Sequence, residues 1–137
     1  MKLHSEDTLA HSKAFIFVMD QWVKLLKLGY GDTELAFGNQ SLVTYALADD
    51  QKTVLAAIVW SYDSGRRVAG ELFSSVAEEH RRKGIYTKVI AEVERRAKLR
   101  GAVALYSGVH VNNVQMLTSV EKEGRRVDWY RVKKDFR

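Results

Sequence analysis

Val76-Ala77-Glu78-Glu79-His80-Arg81-Arg82-Lys83-Gly84-Ile85-Tyr86-Thr87-Lys88 is the stretch whose reading decides the fold. The apolar run from Val68 to Val76 leads into it and has the composition of a strand. Behind it, Ile85, Val89, Ile90, Val93 and Ala97 recur at helical spacing, which predicts a helix from Gly84 to Arg100 ended by Gly101. A strand that passes through a short basic loop into a helix makes an anion site. The first N–H groups of the helix have no acceptor in the chain, and the helix dipole places partial positive charge on them. Gly84 lets the backbone approach a ligand closely, and Arg81, Arg82 and Lys83 add full charges, so a diphosphate suits the loop. The competing reading is an ordinary solvated charge run with a glycine at its turn.

Working outward, Leu42 to Ala48 and Thr53 to Tyr62 are rich in β-formers, and Asp49-Asp50-Gln51 between them predicts a hairpin. Ser64-Gly65 makes the next turn, and Arg67 to Val76 completes a three-stranded antiparallel meander. Beyond the central helix, Ala102 to Val109 suits a buried strand. Asn112 or Asn113 caps a last helix, with Met116, Leu117 and Val120 on one face and Gly124 after its end. Val127 to Phe136 reads as a final strand. Upstream, Ser5 is expected to cap a helix whose apolar face collects Phe15, Val18, Met19, Trp22, Leu25 and Leu26, a stripe of core type, stopped by Gly29 and Gly31. Asp32 to Gly38 is a second short helix or a loop. At most Lys2 to His4 is left for a first strand, which is therefore short or absent. The order of elements predicts an α/β fold with a mixed, mainly antiparallel sheet flanked by helices. Residues 1–137 form a single domain, helical over 1–40, with the anion site in 41–137.

Composition narrows the chemistry. The chain has 137 residues, enough for one ordinary core, and no cysteine, which excludes disulfides, thiolate metal sites and a cysteine nucleophile. His4, His11, His80 and His110 are too scattered to suggest a metal site. No apolar run approaches the length of a membrane span, and Met1-Lys2-Leu3-His4 does not open a signal peptide, so a soluble cytoplasmic protein is the expectation. A formal charge of +5 favours anionic ligands, whether nucleic acid or a phosphorylated cofactor.

Arg81-x-x-Gly84-x-Tyr86, approached through Val76, resembles the acyl-CoA pyrophosphate loop of the GNAT N-acetyltransferase superfamily, whose pattern is Arg/Gln-x-x-Gly-x-Gly/Ala. Val109-x-x-x-Asn113 followed by Gly124 resembles the same family's V-x-x-x-N…Y-x-x-x-G-F. The chain is similar to compact, single-domain members, a type also found in bacteriophage genomes. Two departures stand out: Val120 takes the place of the tyrosine that protonates the leaving thiolate, and Arg125 that of the usual aromatic. The resemblance spans Ser41 to Phe136. It implies acetyl-CoA or another short acyl-CoA as cofactor, held at Val76, Arg81, Arg82, Lys83, Gly84, Ile85, Tyr86 and Asn113. It also implies that the strand ending in Val76 diverges from the one ending in Val109, with pantetheine in the gap and backbone N–H groups near Val76 polarising the thioester. Tyr86 stands where the family has a small residue, and its ring either narrows the diphosphate site or packs beside the loop.

Transfer of an acyl group to an amine needs a held cofactor, a base and stabilisation of the carbonyl oxygen. Glu71, in an otherwise weakly polar strand, is the first candidate for base, since a partly buried carboxylate there would have a raised pKa. The competing reading puts it on the solvent face. His110, after the splayed strand, is the second candidate. The function expected is N-acetyl transfer to a primary amine of a small molecule or protein by direct attack in a ternary complex. The alternatives are a GNAT-fold module that senses acyl-CoA without turnover, and a nucleic-acid binder using Arg66, Arg67, Arg81, Arg82, Arg125 and Arg126. The last has no basic stretch interleaved with aromatics to support it. Trp129, Tyr130, Val132 and Phe136 in the last strand, and a shortened sheet edge, lead to the expectation of a homodimer.

Overall fold

The computed structural model describes residues 1–28, 41–108, 114–126 and 134, the side chain of Gln115 excepted. The elements are β1 (Lys2–Glu6), α1 (Phe15–Lys27), β2 (Leu42–Leu47), β3 (Val54–Asp63), β4 (Val68–Val76), α2 (Ile85–Leu99), β5 (Ala104–Ser107) and α3 (Val114–Lys122). The five strands form one sheet in the order β1-β2-β3-β4-β5. The first four are antiparallel neighbours, and β5 lies parallel to β4 after the α2 crossover. The predicted meander, central helix and mixed sheet are therefore all present. Gly29, Gly31, the Asp32–Gly38 segment, the Asn112 or Asn113 cap, Val109, His110 and the final strand lie outside the described residues.

The N-terminus departs from the expectation. Ser5 caps no helix: it lies in β1, where its hydroxyl meets that of Thr44 at 2.7 Å. β1 runs to Glu6, two residues past the room allotted to it, because β2 offers it partners that local sequence does not show. His4 stacks on Tyr45 with ring centroids 5.6 Å apart, and the Tyr45 hydroxyl donates to Glu6 at 2.6 Å. Helix α1 begins only at Phe15, and of the expected stripe only Val18 is fully buried, together with Gln21, while Phe15, Met19, Trp22, Leu25 and Leu26 are half-buried.

Helices cover both faces of the sheet. On one, Ile85, Val89, Ile90, Val93 and Ala97 of α2 pack on Ala56, Ile58, Trp60 and Ala69. On the other, Val18 of α1 and Leu9 join Val43, Tyr45, Ala57 and Val59, with Leu72 and Phe73 at the margin. The β2–β3 hairpin is held by Asp50, whose carboxylate accepts from the Lys52 and Thr53 amides at 2.8 Å and from the Thr53 hydroxyl at 2.6 Å. Those bonds favour the charged form and bring its pKa to about 2.

Thr44 is a buried polar link in the α2-side core, accepting the Trp60 indole N–H at 3.0 Å. Thr44→Val keeps the shape and orphans that donor. A buried unsatisfied group costs about 1–3 kcal/mol, so the urea midpoint should fall by that equivalent, while Ser5→Ala, at a half-buried position, should cost less. Equal midpoints for Thr44→Val and wild type would refute the assignment.

Candidate functional site

Strand β4 shapes the site. Along β3 its register slips between Val59↔Phe73 and Trp60↔Glu71, which leaves Leu72 as an extra residue in a β-bulge. The slip puts Leu72 and Phe73 together on the α1 side, while Glu71 points to the α2 side, where Tyr86 meets it. At the same point the parallel pairing with β5 reaches its last recorded pair, Glu71↔Ser107, and Leu72–Val76 run on beside β3. That end of the parallel pairing is the fork of the sheet, past which β4 continues without β5.

A cleft of about 780 Å³ lies over the continuing part of β4. Ser74, Ser75 and Val76 form its floor, and His80, Arg81, Arg82, Gly84, Tyr86 and Thr87 one end. Met116, Ser119, Lys122 and Glu123 of the α3 segment and Leu25 and Leu28 of the α1 segment close its sides. Ser75 ties the floor to α1 by donating to the buried Gln21 side chain at 2.7 Å. In the loop, Arg82 and Gly84 have positive φ, 63° and 76°, with Lys83 between them of the ordinary sign. Such alternation builds backbone concavities that take anions. A Cβ on Gly84 would meet nothing within 4 Å, so glycine answers to the left-handed backbone and leaves open space in front of the helix. No side chain caps α2 at Gly84, which leaves its first-turn N–H groups to a ligand. Arg81 folds back, its Nε donating to the Val76 carbonyl at 3.1 Å.

At the fork sits a buried charged cluster. Glu71 is 8% exposed and accepts the Tyr86 hydroxyl at 3.1 and 3.2 Å. Arg125, just past Gly124, sends Nη1 to Glu71 at 3.0 Å and to the Ser107 hydroxyl at 2.7 Å. Its Nη2 lies 3.5 Å from the Tyr86 hydroxyl and 3.2 Å from Glu123. One guanidinium thus joins β4, β5, the first turn of α2 and the end of α3. Burial pushes the Tyr86 phenol well above its ordinary pKa, and the Glu71 charge adds to this. Burial also raises Glu123; Arg125 opposes that, while Glu71 and Glu94 reinforce it. For Arg125 burial works against the charge, but Tyr86, Glu71 and Glu123 outweigh it and the pKa rises.

Comparison with known proteins gives the same picture. The model of the acetyltransferase (GNAT) family matches residues 10–122. The chain belongs to this family. Among solved structures, an aminoglycoside acetyltransferase, meta-AAC0020, from an uncultured soil metagenomic sample in complex with trehalose superposes with a TM-score of 0.75 at 14% identity, covering 99% of this chain and 95% of that one. A ribosomal-protein-alanine N-acetyltransferase from Brucella melitensis biovar Abortus 2308 gives 0.74 at 14% identity over 99% and 100% of the two chains. The aminoglycoside N-acetyltransferase AAC(6')-Iy in complex with CoA gives 0.63 at 16% over 97% and 100%. At these identities the likeness is one of GNAT fold. No curated protein sequence matches significantly.

Within that GNAT frame, the structure brings Val76, Arg81, Arg82, Gly84 and Tyr86 to one cleft. Lys83 is exposed and does not line it. Ile85 also lines the cleft, although most of its side chain is buried in the core. Tyr86 lines the cleft beside the loop, and its hydroxyl holds Glu71. Glu71 is buried rather than on a solvent face, yet the carboxylate expected to act as base is already taken by Arg125 and Tyr86. His110 and Asn113 lie outside the described residues. Sequence reasoning missed Glu123 and the bridging role of Arg125, whose partner is 54 positions away.

Arg125→Met should strand two carboxylates in the cluster. Removing one partner of a buried pair costs about 3–5 kcal/mol, which denaturation would show, and Glu71→Leu added to it should recover part of the loss. Glu123 predicts a pH signature of known sign. A carboxylate whose folded pKa is raised contributes stability below its unfolded value and loses it as pH rises through the folded value. Glu123→Gln should therefore gain on wild type from about pH 4.5 upward, as melting curves against pH would show.

Proposed function

We propose that the protein is an acyl-CoA-dependent N-acyltransferase, with acetyl-CoA as donor and a primary amine of a small molecule or protein as acceptor. One observation carries the reading: the uncapped, basic start of α2 and the stretch of β4 that runs on past its last pair with β5 line a single cleft. Backbone N–H groups of the 82–85 turn, with Arg81 and Arg82, would hold the diphosphate. The run Leu72–Val76 would align the pantetheine amides as an added strand does, and the bulge at Leu72 supplies redirected N–H groups for the thioester oxygen. Asn113 is proposed as a further cofactor contact.

In the reaction the amine nitrogen attacks the thioester carbon, the C–N bond forms, the C–S bond breaks and the sulfur leaves as thiolate. The nitrogen sheds one proton and the sulfur gains one. Glu71, engaged by Arg125 and Tyr86, serves in this reading to hold the fork, and His110 or water takes the proton from nitrogen. Four of the arginines weighed for nucleic acid lie at opposite ends of β4. Arg66 and Arg67 precede β4 and Arg81 and Arg82 follow it, about 30 Å of strand apart, and Arg125 is engaged at the fork.

Acetyl-CoA should raise the melting temperature, by the equivalent of about 2.7 kcal/mol at a hundredfold excess over Kd. Gly84→Asn and Gly84→Asp both tolerate positive φ and differ mainly in charge, so the aspartate variant should lose far more of the shift. No shift for wild type at millimolar acetyl-CoA would end the cofactor assignment. Glu71→Gln separates fork from base. A structural role predicts lower stability and a rate that stays low as pH rises, whereas a base predicts intact stability, a loss of ~10²–10⁴-fold near neutrality and recovery at high pH.

A further inference from the structure

Glu123 is the only carboxylate among the described residues that lines the cleft, and the reaction as outlined gives it no task. Its Oε2 is shut off from solvent and accepts no hydrogen bond among the described residues. Arg125 Nη2 lies 3.2 Å away, but the guanidinium directs its hydrogen bonds to Glu71, Ser107 and the Tyr86 hydroxyl. The fork thus holds two carboxylates and one guanidinium, and the second carboxylate is short of a donor. That unmet acceptor belongs to a side chain that lines the cleft, where a donor can arrive with a ligand.

Geometry says which part of the ligand that is. From the fork at Glu71 to the loop after Val76, the run Leu72–Val76 spans about 16 Å. A cofactor with its diphosphate on the loop and an arm of two amide units along this run brings its terminal sulfur to the fork. Among the described groups there, Tyr86 already donates its proton to Glu71, and His80 stands at the loop end. Resting on the acyl-CoA reading above, we propose that Glu123 faces the cofactor's sulfur and is the acid that protonates it as the thioester is cleaved.

As the C–S bond breaks, the sulfur keeps the electron pair and takes the carboxyl proton of Glu123. The carboxylate left behind recovers a proton from water, and the nitrogen's proton leaves by its own route, so the overall change is amide plus free thiol. Arg125 beside it, Glu71 on β4, Tyr86 and Glu94 on α2 and the adjacent Lys122 set the field in which Glu123 titrates. Burial and the two neighbouring carboxylates favour its protonated form, and Arg125 keeps it from being lost as a base thereafter.

The test needs no acceptor. Calorimetry over roughly pH 5–9 would compare CoA with the analogue carrying hydrogen in place of the thiol, on wild type and Glu123→Gln. Wild type should prefer CoA several-fold once Glu123 is ionised and can accept the S–H, and Glu123→Gln should lose that preference while binding the thiol-free analogue as before. The unaltered analogue affinity would show that the variant is folded. Thiol release by Glu123→Gln should also fall, by ~10²-fold or more, with partial rescue by Glu123→Asp. An equal preference for CoA in both proteins overturns the assignment of Glu123 and leaves the cofactor reading standing. Failure of wild type to bind either compound overturns both.

Discussion

A guanidinium held between two carboxylates at the fork of two parallel strands is the contact on which the cleft depends. β4 and β5 pair from Val68↔Ala104 to Glu71↔Ser107. A fork needs its last pair fixed, or the opening drifts along the strands. Arg125 fixes it by binding the side chains of both members of that pair, Glu71 and Ser107. The bulge at Leu72 falls next to the same residue, so the point where the backbone is redirected and the point where the strands part coincide. Tyr86 adds the first turn of α2 through Glu71, and the anion loop is thereby set at a constant distance from the fork.

Such a cluster is poor value as stabilisation alone, because a buried ion pair replaced by apolar groups of equal volume is often neutral or better. What it provides here is direction. An apolar plug would fill the space without fixing where α3 ends relative to β4, whereas a planar guanidinium accepts its partners only along its N–H vectors. The α3 face that lines the cleft, Met116, Ser119 and Glu123, inherits its placement from that bond. The excess carboxylate at Glu123 follows from the same arrangement: Arg125 has directed bonds for Glu71 and Ser107 and only proximity for Glu123.

The parts of the fold that were legible in the sequence are those whose cause is local. The hairpin at Asp50, the helix from Ile85 and the break at Gly84 come from turn chemistry, periodicity and a backbone only glycine adopts cheaply. The GNAT spacing added an expected function for the loop, which periodicity alone leaves open. β1 was underestimated because Lys2, His4, Ser5 and Glu6 show no strand pattern; its register is written in Thr44 and Tyr45, which receive Ser5, His4 and Glu6. For the same reason the Ser5 helix cap did not exist. Arg125 stood out only as a departure from the family pattern, because a bond between residues 71 and 125 leaves no mark in either neighbourhood.

On the proposed reading the two ends of the cleft have opposite electrical tasks. The loop end, with Arg81, Arg82 and the α2 N-terminus, favours negative charge; the fork end must let a carboxyl keep or regain a proton. Placed together, the loop cations would strip Glu123 of its proton. The run Leu72–Val76 puts about 16 Å of strand between the fork and the loop that follows Val76. Arg81 and Arg82 are exposed and so are screened, while Glu71, Tyr86 and Glu123 are shielded from water and feel mainly one another and Arg125. On the proposed reading, the length of β4 past the fork matches the reach of the cofactor's arm, and burial at one end and solvent at the other keep the two sets of charges distinct.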